Sequence, residues 1–300
     1  MPTILGYHLL ARRLLPIKQD WGEAKRQAFL LGAQGEDFLR DPPRPFRRQE
    51  PPLRAFADYV NALSAAELLA QGTAFEHSHP QKKDLIRAYL AGFLCHRAYW
   101  EAIGPFFRAA LSAYEQTNEP ARAMELDENL PARMEAVFDI LLLRYETGQL
   151  PFEVSLKETW PREAGVWESI SMFYADGLAQ GWTGPVEQTA VLNAMEHRRR
   201  WVKVLNNRTT FKRSALGLYE GLLLRKGIVT ARMHPLTEPD GFDYANAEHA
   251  LWRDPSHPQT EREESLFDLF EQAVCQAERA DRYEYINEQI KGGTTHESDC

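Results

Sequence analysis

Residues 88–107 read AYLAGFLCHRAYWEAIGPFF. The run from Ala88 to Cys95 is apolar and ends on His96, with Gly92 one turn earlier. A long apolar run with no period-two alternation reads as a buried helix. The face that carries His96 continues with Trp100 and then Gly104, because residues four apart on a helix lie one above the other. A helix serving a metal ion would place its ligands at 96, 100 and 104, and of these only His96 has a donor atom.

Outward from this segment, helical periodicity dominates. The pattern predicts helices over roughly 4–15, 22–31, 52–71, 82–117, 120–147, 163–180, 186–225 and 260–290. Pro51-Pro52, Gly72, Pro120, Gly148, Pro161 and Gly227 punctuate them. Thr260-Glu261-Arg262-Glu263 fits a capping box ahead of SLFDLFEQAVCQAERA. The only alternating pieces are as short as Gly227-Ile228-Val229-Thr230, so the expected fold is all-α, a multi-helix bundle. Asp41-Pro42-Pro43-Arg44-Pro45 reads as a rigid linker. One domain is expected over 1–290, with a solvated tail at 291–300.

Composition bounds the function. In 300 residues, a hydrophobic content of 44% with seven Trp and fifteen Phe is ample for a buried core. The net charge of −8 argues against general nucleic-acid binding, which needs a basic footprint. Three cysteines without a CxxC spacing make no disulfide framework, so a reducing, cytoplasmic setting is expected. The N-terminal MPTILGYHLLARRLLPIK is interrupted by His8 and two arginines and does not read as a secretory signal. No segment approaches eighteen uncharged apolar residues, so no transmembrane helix is expected. Walker, Rossmann and GxSxG motifs are absent.

A few groups have the residue types for chemistry. In FLLGAQGEDF, Gly32 and Gly35 allow positive φ and Asp37 follows, which suits either a buried ligand or a helix C-cap followed by a solvated acid. His96 is either a ligand or a satisfied core histidine. Glu125 and Asp127 in ARAMELDENL are either an acidic pair turned to a site or a solvated face. FEHSHP offers Glu76, His77 and His79, most simply as an exposed loop. Glu196-His197-Arg198-Arg199-Arg200-Trp201, continuing to Lys203, Arg208, Lys212 and Arg213, is the densest basic patch and suits an anion or phosphate, an acidic partner or membrane surface, or most simply a solvated face paired with nearby acids. Asp243-Tyr244-Ala245-Asn246, with His249 and Trp252, reads as a loop anchored by aromatic packing and an Asn side chain capping backbone.

Taken in order, HLL at His8, LLGAQGxD at Asp37, YLAGFLCH at His96 and MELD at Glu125 resemble the bacterial zinc-dependent phospholipase C-like family. That family is all-helical and gathers metal ions between its helices. DYANAEHALWRDP followed by ESLFDLFEQAV is similar to the tail of its intracellular branch, while 150–235 holds no matching motif. The resemblance implies zinc as the cofactor, with 1–147 as the metal-site half and 148–290 as a C-terminal helical half. Zinc takes imidazole and carboxylate ligands at about 2 Å and keeps an open position for water. A cluster of such ions polarises a phosphoryl oxygen and activates the attacking water.

Position by position, the resemblance places His8 on the family's N-terminal histidine, Asp37 on its glycine-turn aspartate, His96 on the first residue of HxxxD and Glu125 on the glutamate of HxxxE. The chain departs from the pattern at Trp100, which stands for the HxxxD aspartate, at Gly104, and at Ala121, which stands for the histidine of HxxxE. No histidine occurs between His8 and His77, so the one expected downstream of Asp37 has no counterpart. The resemblance therefore implies an incomplete metal site, with weak or no phosphodiester hydrolysis and a binding or interaction role. The alternative is an active phosphoesterase with a reduced ion set on Asp37, His96 and Glu125.

Overall fold

The fold grows from one long apolar helix. In the computed structural model, which describes residues 4–41, 52–117, 129–160, 163–206, 210–222, 229–235 and 241–290, that helix runs from Lys83 to Thr117. Ten α-helices are present among the described residues. They are α1 (Ile4–Leu14), α2 (Glu23–Gly32), α3 (Arg54–Ala62), α4 (Ala65–Ser78), α5 (Lys83–Thr117), α6 (Leu130–Thr147), α7 (Ala164–Met172), α8 (Gln188–Leu205), α9 (Thr210–Leu222) and α10 (Leu266–Ile290). The single sheet among these residues pairs Trp252–Arg253 with Glu261–Arg262, antiparallel. The protein is all-α.

The sequence pattern locates most helices but merges neighbours. The expected helix 52–71 is two, because Leu63 turns extended (ψ 136°) and Ser64 opens α4 with a full capping box to Glu67. The expected helix 186–225 is also two, broken where Asn206 is extended (ψ 99°). At the carboxyl end, the capping box is Ser265 with Asp268 instead of Thr260 with Glu263. Ser265 Oγ accepts from Asp268 N at 3.2 Å, and the Asp268 carboxylate accepts from Ser265 N at 2.8 Å. Glu261 and Arg262 are occupied in the strand pair. The stretch expected as helix 163–180 leaves α7 through a π-turn at Phe173–Gly177 and a 3₁₀ turn at Leu178–Gly181.

α5 is the axis of the bundle, with α2 and α10 against it and α1 held between α5 and α6. Two glycines set the α2–α5 approach. A Cβ on Gly32 would stand 1.9 Å from the Tyr89 carbonyl oxygen, and one on Gly92 2.0 Å from the Phe29 carbonyl oxygen. Each helix therefore presents a glycine to the other's backbone, and no larger residue permits that distance. The apolar core is continuous from Ile4 to Ala277. No helix among the described residues is long and apolar enough to cross a membrane.

The Asn246 segment forms the anchor its residue types suggest. Asn246 Nδ2 donates to the carbonyls of Ala250, Glu263 and Glu264 at 3.0–3.4 Å, and its Oδ1 accepts from Ala250 N at 3.0 Å. Its φ of 52° lies in the left-handed region that Asn tolerates better than most residues. Tyr244 stacks on Tyr114, while Trp252 packs edge-on against Phe106 and donates its indole N–H to Glu264 O.

Candidate functional site

The α2–α5 crossing places a polar turn against the middle of α5. After α2 the chain makes tight turns at Gln34 and Gly35, then a 3₁₀ turn at Asp37–Arg40. Gly35 has φ +61°, and a Cβ there would meet the His96 ring at 2.6 Å, so position 35 is glycine for two reasons. Gly32 has no positive φ; its role is the close approach to α5. Gln34 Nε2 donates to Ile4 O at 3.2 Å and ties the turn to the start of α1.

His96 is enclosed by this turn and α1. Its ring centroid lies 4.4 Å from that of Tyr7, and its Nε2 lies 3.7 Å from Glu36 Oε2. Asp37 sits beside Glu36, with Arg40 Nε 3.7 Å from its Oδ1. All of these side chains are buried except Arg40. Five of them keep a polar atom without a hydrogen-bond partner: Tyr7 Oη, Gln34 Oε1, Glu36 Oε2, Asp37 Oδ2 and His96 Nδ1. Such atoms are rare in a folded interior, where the great majority are paired, and here they share one locality.

Burial dominates the electrostatics. It raises the Asp37 carboxyl to about 6, with the Glu36 carboxylate adding to the shift and His96 opposing it. Burial lowers the His96 imidazole to about 4 against the pull of Asp37. At pH 7 the pair is therefore a carboxylate beside a neutral imidazole. Burial likewise raises Glu36, and it takes Glu135 on α6 to about 7, with Asp37 and Asp139 adding to the shift.

The candidate residues from the sequence are treated unequally. Asp37 and His96 lie within electrostatic reach of each other. His8 is buried on α1 with its Nδ1 unpartnered, but it is the preceding Tyr7 that meets the His96 ring. The charge that most affects His8 after burial is that of Arg12, and burial drives the imidazole down to about 3. Glu125, Asp127 and Ala121 lie outside the described residues. Trp100 is half-buried and packs towards Gly104 and Phe107. Glu76 is paired with Arg87, and His77 and His79 bond to carbonyls of their own helix, so the expected FEHSHP loop is the last turn of α4 and its cap. The three central arginines do not share a surface. Arg198 is buried against Asp41, Arg199 pairs with Glu196, and Arg200 is exposed.

Other members of the polar interior were not singled out from the sequence. Glu135 and Asp139 stand four apart on one face of α6, in an otherwise apolar run. Asp139 accepts from Leu5 N at 3.1 Å and Gly6 N at 2.7 Å, which satisfies the first turn of α1, and its Oδ2 lies 2.8 Å from His234 Nε2. Their spacing was a usable signal. Glu36 had none beyond its place next to Asp37.

Among the described residues, no group of three or more His, Cys, Asp or Glu side chains is arranged to hold a metal ion. No protein-family model, curated protein or solved structure matches the chain.

Proposed function

We propose that this protein is a zinc-dependent phospholipase C-like scaffold whose metal site is incomplete, and that it works by binding rather than by phosphodiester hydrolysis. The observation that carries this reading is the His96 face of α5. One donor, His96, is followed on that face by Trp100, whose ring packs towards Gly104 and Phe107. A ring in the aspartate position supplies no metal ligand. Asp37 and His96 are also closed from solvent, whereas hydrolysis needs a path for water and for the phosphodiester.

The unpartnered oxygens of Glu36 and Asp37 beside a neutral imidazole favour the second reading, a phosphoesterase with a reduced ion set that includes Asp37, His96 and Glu125. Elemental analysis of the purified chain, joined to hydrolysis of a chromogenic phosphodiester by the parent and by His96→Ala, separates the two. The proposal expects zinc well below one equivalent and the same background rate in both proteins, with circular dichroism checking that the variant is folded. Near-stoichiometric zinc, with hydrolysis abolished by His96→Ala and by Asp37→Asn, would establish the phosphoesterase instead.

A further inference from the structure

The polarity of α9 is inverted. Its outward face carries Phe211, Ala215, Leu218 and Leu222, spaced at i, i+4, i+7 and i+11, and Phe211, Leu218 and Leu222 are 79%, 69% and 74% exposed. Its inward face carries one apolar side chain, Leu216, together with charge. Glu220, the one acid of the helix, is buried and accepts from Val229 N, Thr230 N and Thr230 Oγ. Lys212 Nζ donates inward to the carbonyls of Lys203 and Asn206. Globular helices place the apolar stripe towards the core, so this arrangement serves something outside the fold.

The charge around the helix says what that is. Residues 200–226 carry seven Lys or Arg and one acid, in a chain whose net charge is −8. Cations from neighbouring elements crowd α9: after burial itself, Lys157 is what depresses Lys212, and Arg133 of α6 is what depresses Arg213. Lys157, Lys203 and Arg133 are exposed. With Glu220 tied inward, the exposed apolar side chains of α9 stand in a segment of net positive charge.

We infer that α9 docks this protein onto an anionic lipid surface, with Phe211, Leu218 and Leu222 entering the acyl boundary and the surrounding lysines and arginines lying among the headgroups. Exposed apolar side chains on one helix face match a deformable bilayer, and the positive charge of the same segment is the second signal that stable interfacial binding needs. A second copy fits less well, because a two-fold contact sets the patch against itself and brings like charges together. This inference is independent of the polar centre around His96.

The test is co-sedimentation of the full chain with phosphatidylcholine vesicles, with and without about one third phosphatidylserine. Binding is expected only to the anionic vesicles and is expected to weaken as salt is raised. The double variant Phe211→Asp/Leu222→Asp should lower partitioning by roughly tenfold or more, and Lys157→Glu/Lys203→Glu should weaken it as well, each with an unchanged melting profile. The inference fails if the parent does not bind at low salt, or if the double variant binds as the parent does. It fails equally if the aspartates lower the melting temperature without vesicles, since the chain itself would then cover the face. A parent dimer made monomeric by the double variant would show a second copy as the occupant, and retention of polyglutamate without vesicle binding would show an acidic polypeptide.

Discussion

Arg198 of α8 meets Asp41 in an ion pair closed to solvent, with Nη1 3.2 and 3.3 Å from the two carboxylate oxygens and neither side chain exposed. The pair links α8 to the residue that follows the Asp37 turn, so it fixes the far end of the polar centre. Burial raises the Asp41 carboxyl, and Arg198 opposes the shift. Arg198 Nε and Nη2 have no hydrogen-bond partner, so the pair is incompletely compensated.

Removing one partner therefore leaves a buried charge without its ion-pair partner. Asp41→Asn is expected to destabilise the protein by roughly 3–5 kcal/mol, while the double change Asp41→Leu/Arg198→Met should recover most of that loss. Urea denaturation of the parent, the single variant and the double variant checks this. A single variant within 1 kcal/mol of the parent would show that the guanidinium has another counter-charge.

Glu135 should make stability fall as pH rises. Its carboxyl ionises at about 7 in the fold against an ordinary value of 4.5, so between these limits the folded chain holds a proton that the unfolded chain has released. Stability present below pH 4.5 is then lost as pH climbs through 7, by at most about 3 kcal/mol at roughly 1.4 kcal/mol per pKa unit. Asp37 acts in the same direction. His8 and His96, held neutral in the fold, act oppositely, losing stability as pH falls from 6.5 towards their folded values of about 3 and about 4. The opposing groups flatten the parent's profile, so the clean readout is a difference. Glu135→Gln should gain on the parent between pH 5 and pH 8, measured by denaturant titration at each pH. A gain that does not change with pH would mean that Glu135 is already ionised at pH 5.

Helix periodicity carried the fold class, because apolar spacing is a local property of each segment and survives without knowledge of neighbours. It merged α3 with α4 and α8 with α9, since no glycine or proline marks the breaks, which come at Leu63-Ser64 and after Leu205. A glycine turn and an apolar helix made Asp37 and His96 each conspicuous, but only the family resemblance linked the two, because nothing local to either segment says which other segment it meets. Tyr7 was not conspicuous, although it is the residue of α1 that touches His96, because only the rotation of α1 under Asp139 decides whether residue 7 or residue 8 meets the His96 ring. Arg198 read as surface charge because nothing in a run of three arginines marks which one the fold buries.

The glycine contact between α2 and α5 has a steric consequence at both helices. In Gly92→Ala, the added methyl would lie 2.0 Å from Phe29 O and 2.8 Å from Ala33 N, both backbone atoms that no rotamer can move away. The helices must separate, which opens the packing around the Asp37 turn. We expect a loss of 3 kcal/mol or somewhat more, at the upper end for overpacking. Gly148→Ala is the comparison: it meets nothing within 4 Å but has φ +67°, so its cost of about 1 kcal/mol is purely conformational. Thermal melts of the two variants side by side check the ranking, and an equal loss in both would remove the steric argument.

Asn246 offers a test that changes one amide into one carboxylate with almost no change in shape. Its Nδ2 donates to three carbonyls, two of them in the segment that leads into α10. Asn246→Asp replaces that donor with an acceptor, so oxygens face oxygens in a site where the residue is buried. The left-handed φ is tolerated by both residues, which separates hydrogen bonding from backbone strain. A loss of roughly 2–3 kcal/mol is expected at pH 7 from the unpaired polar groups. It should shrink as pH falls far enough to protonate the new carboxyl, because the neutral acid regains one donor. Hydrogen exchange should report the change first in the amides of Ala250 and Leu266, whose bonds to Asn246 Oδ1 and Ala245 O close this anchor. Unchanged protection at both amides would show that the anchor rests on the Tyr114–Tyr244 and Phe106–Trp252 contacts alone.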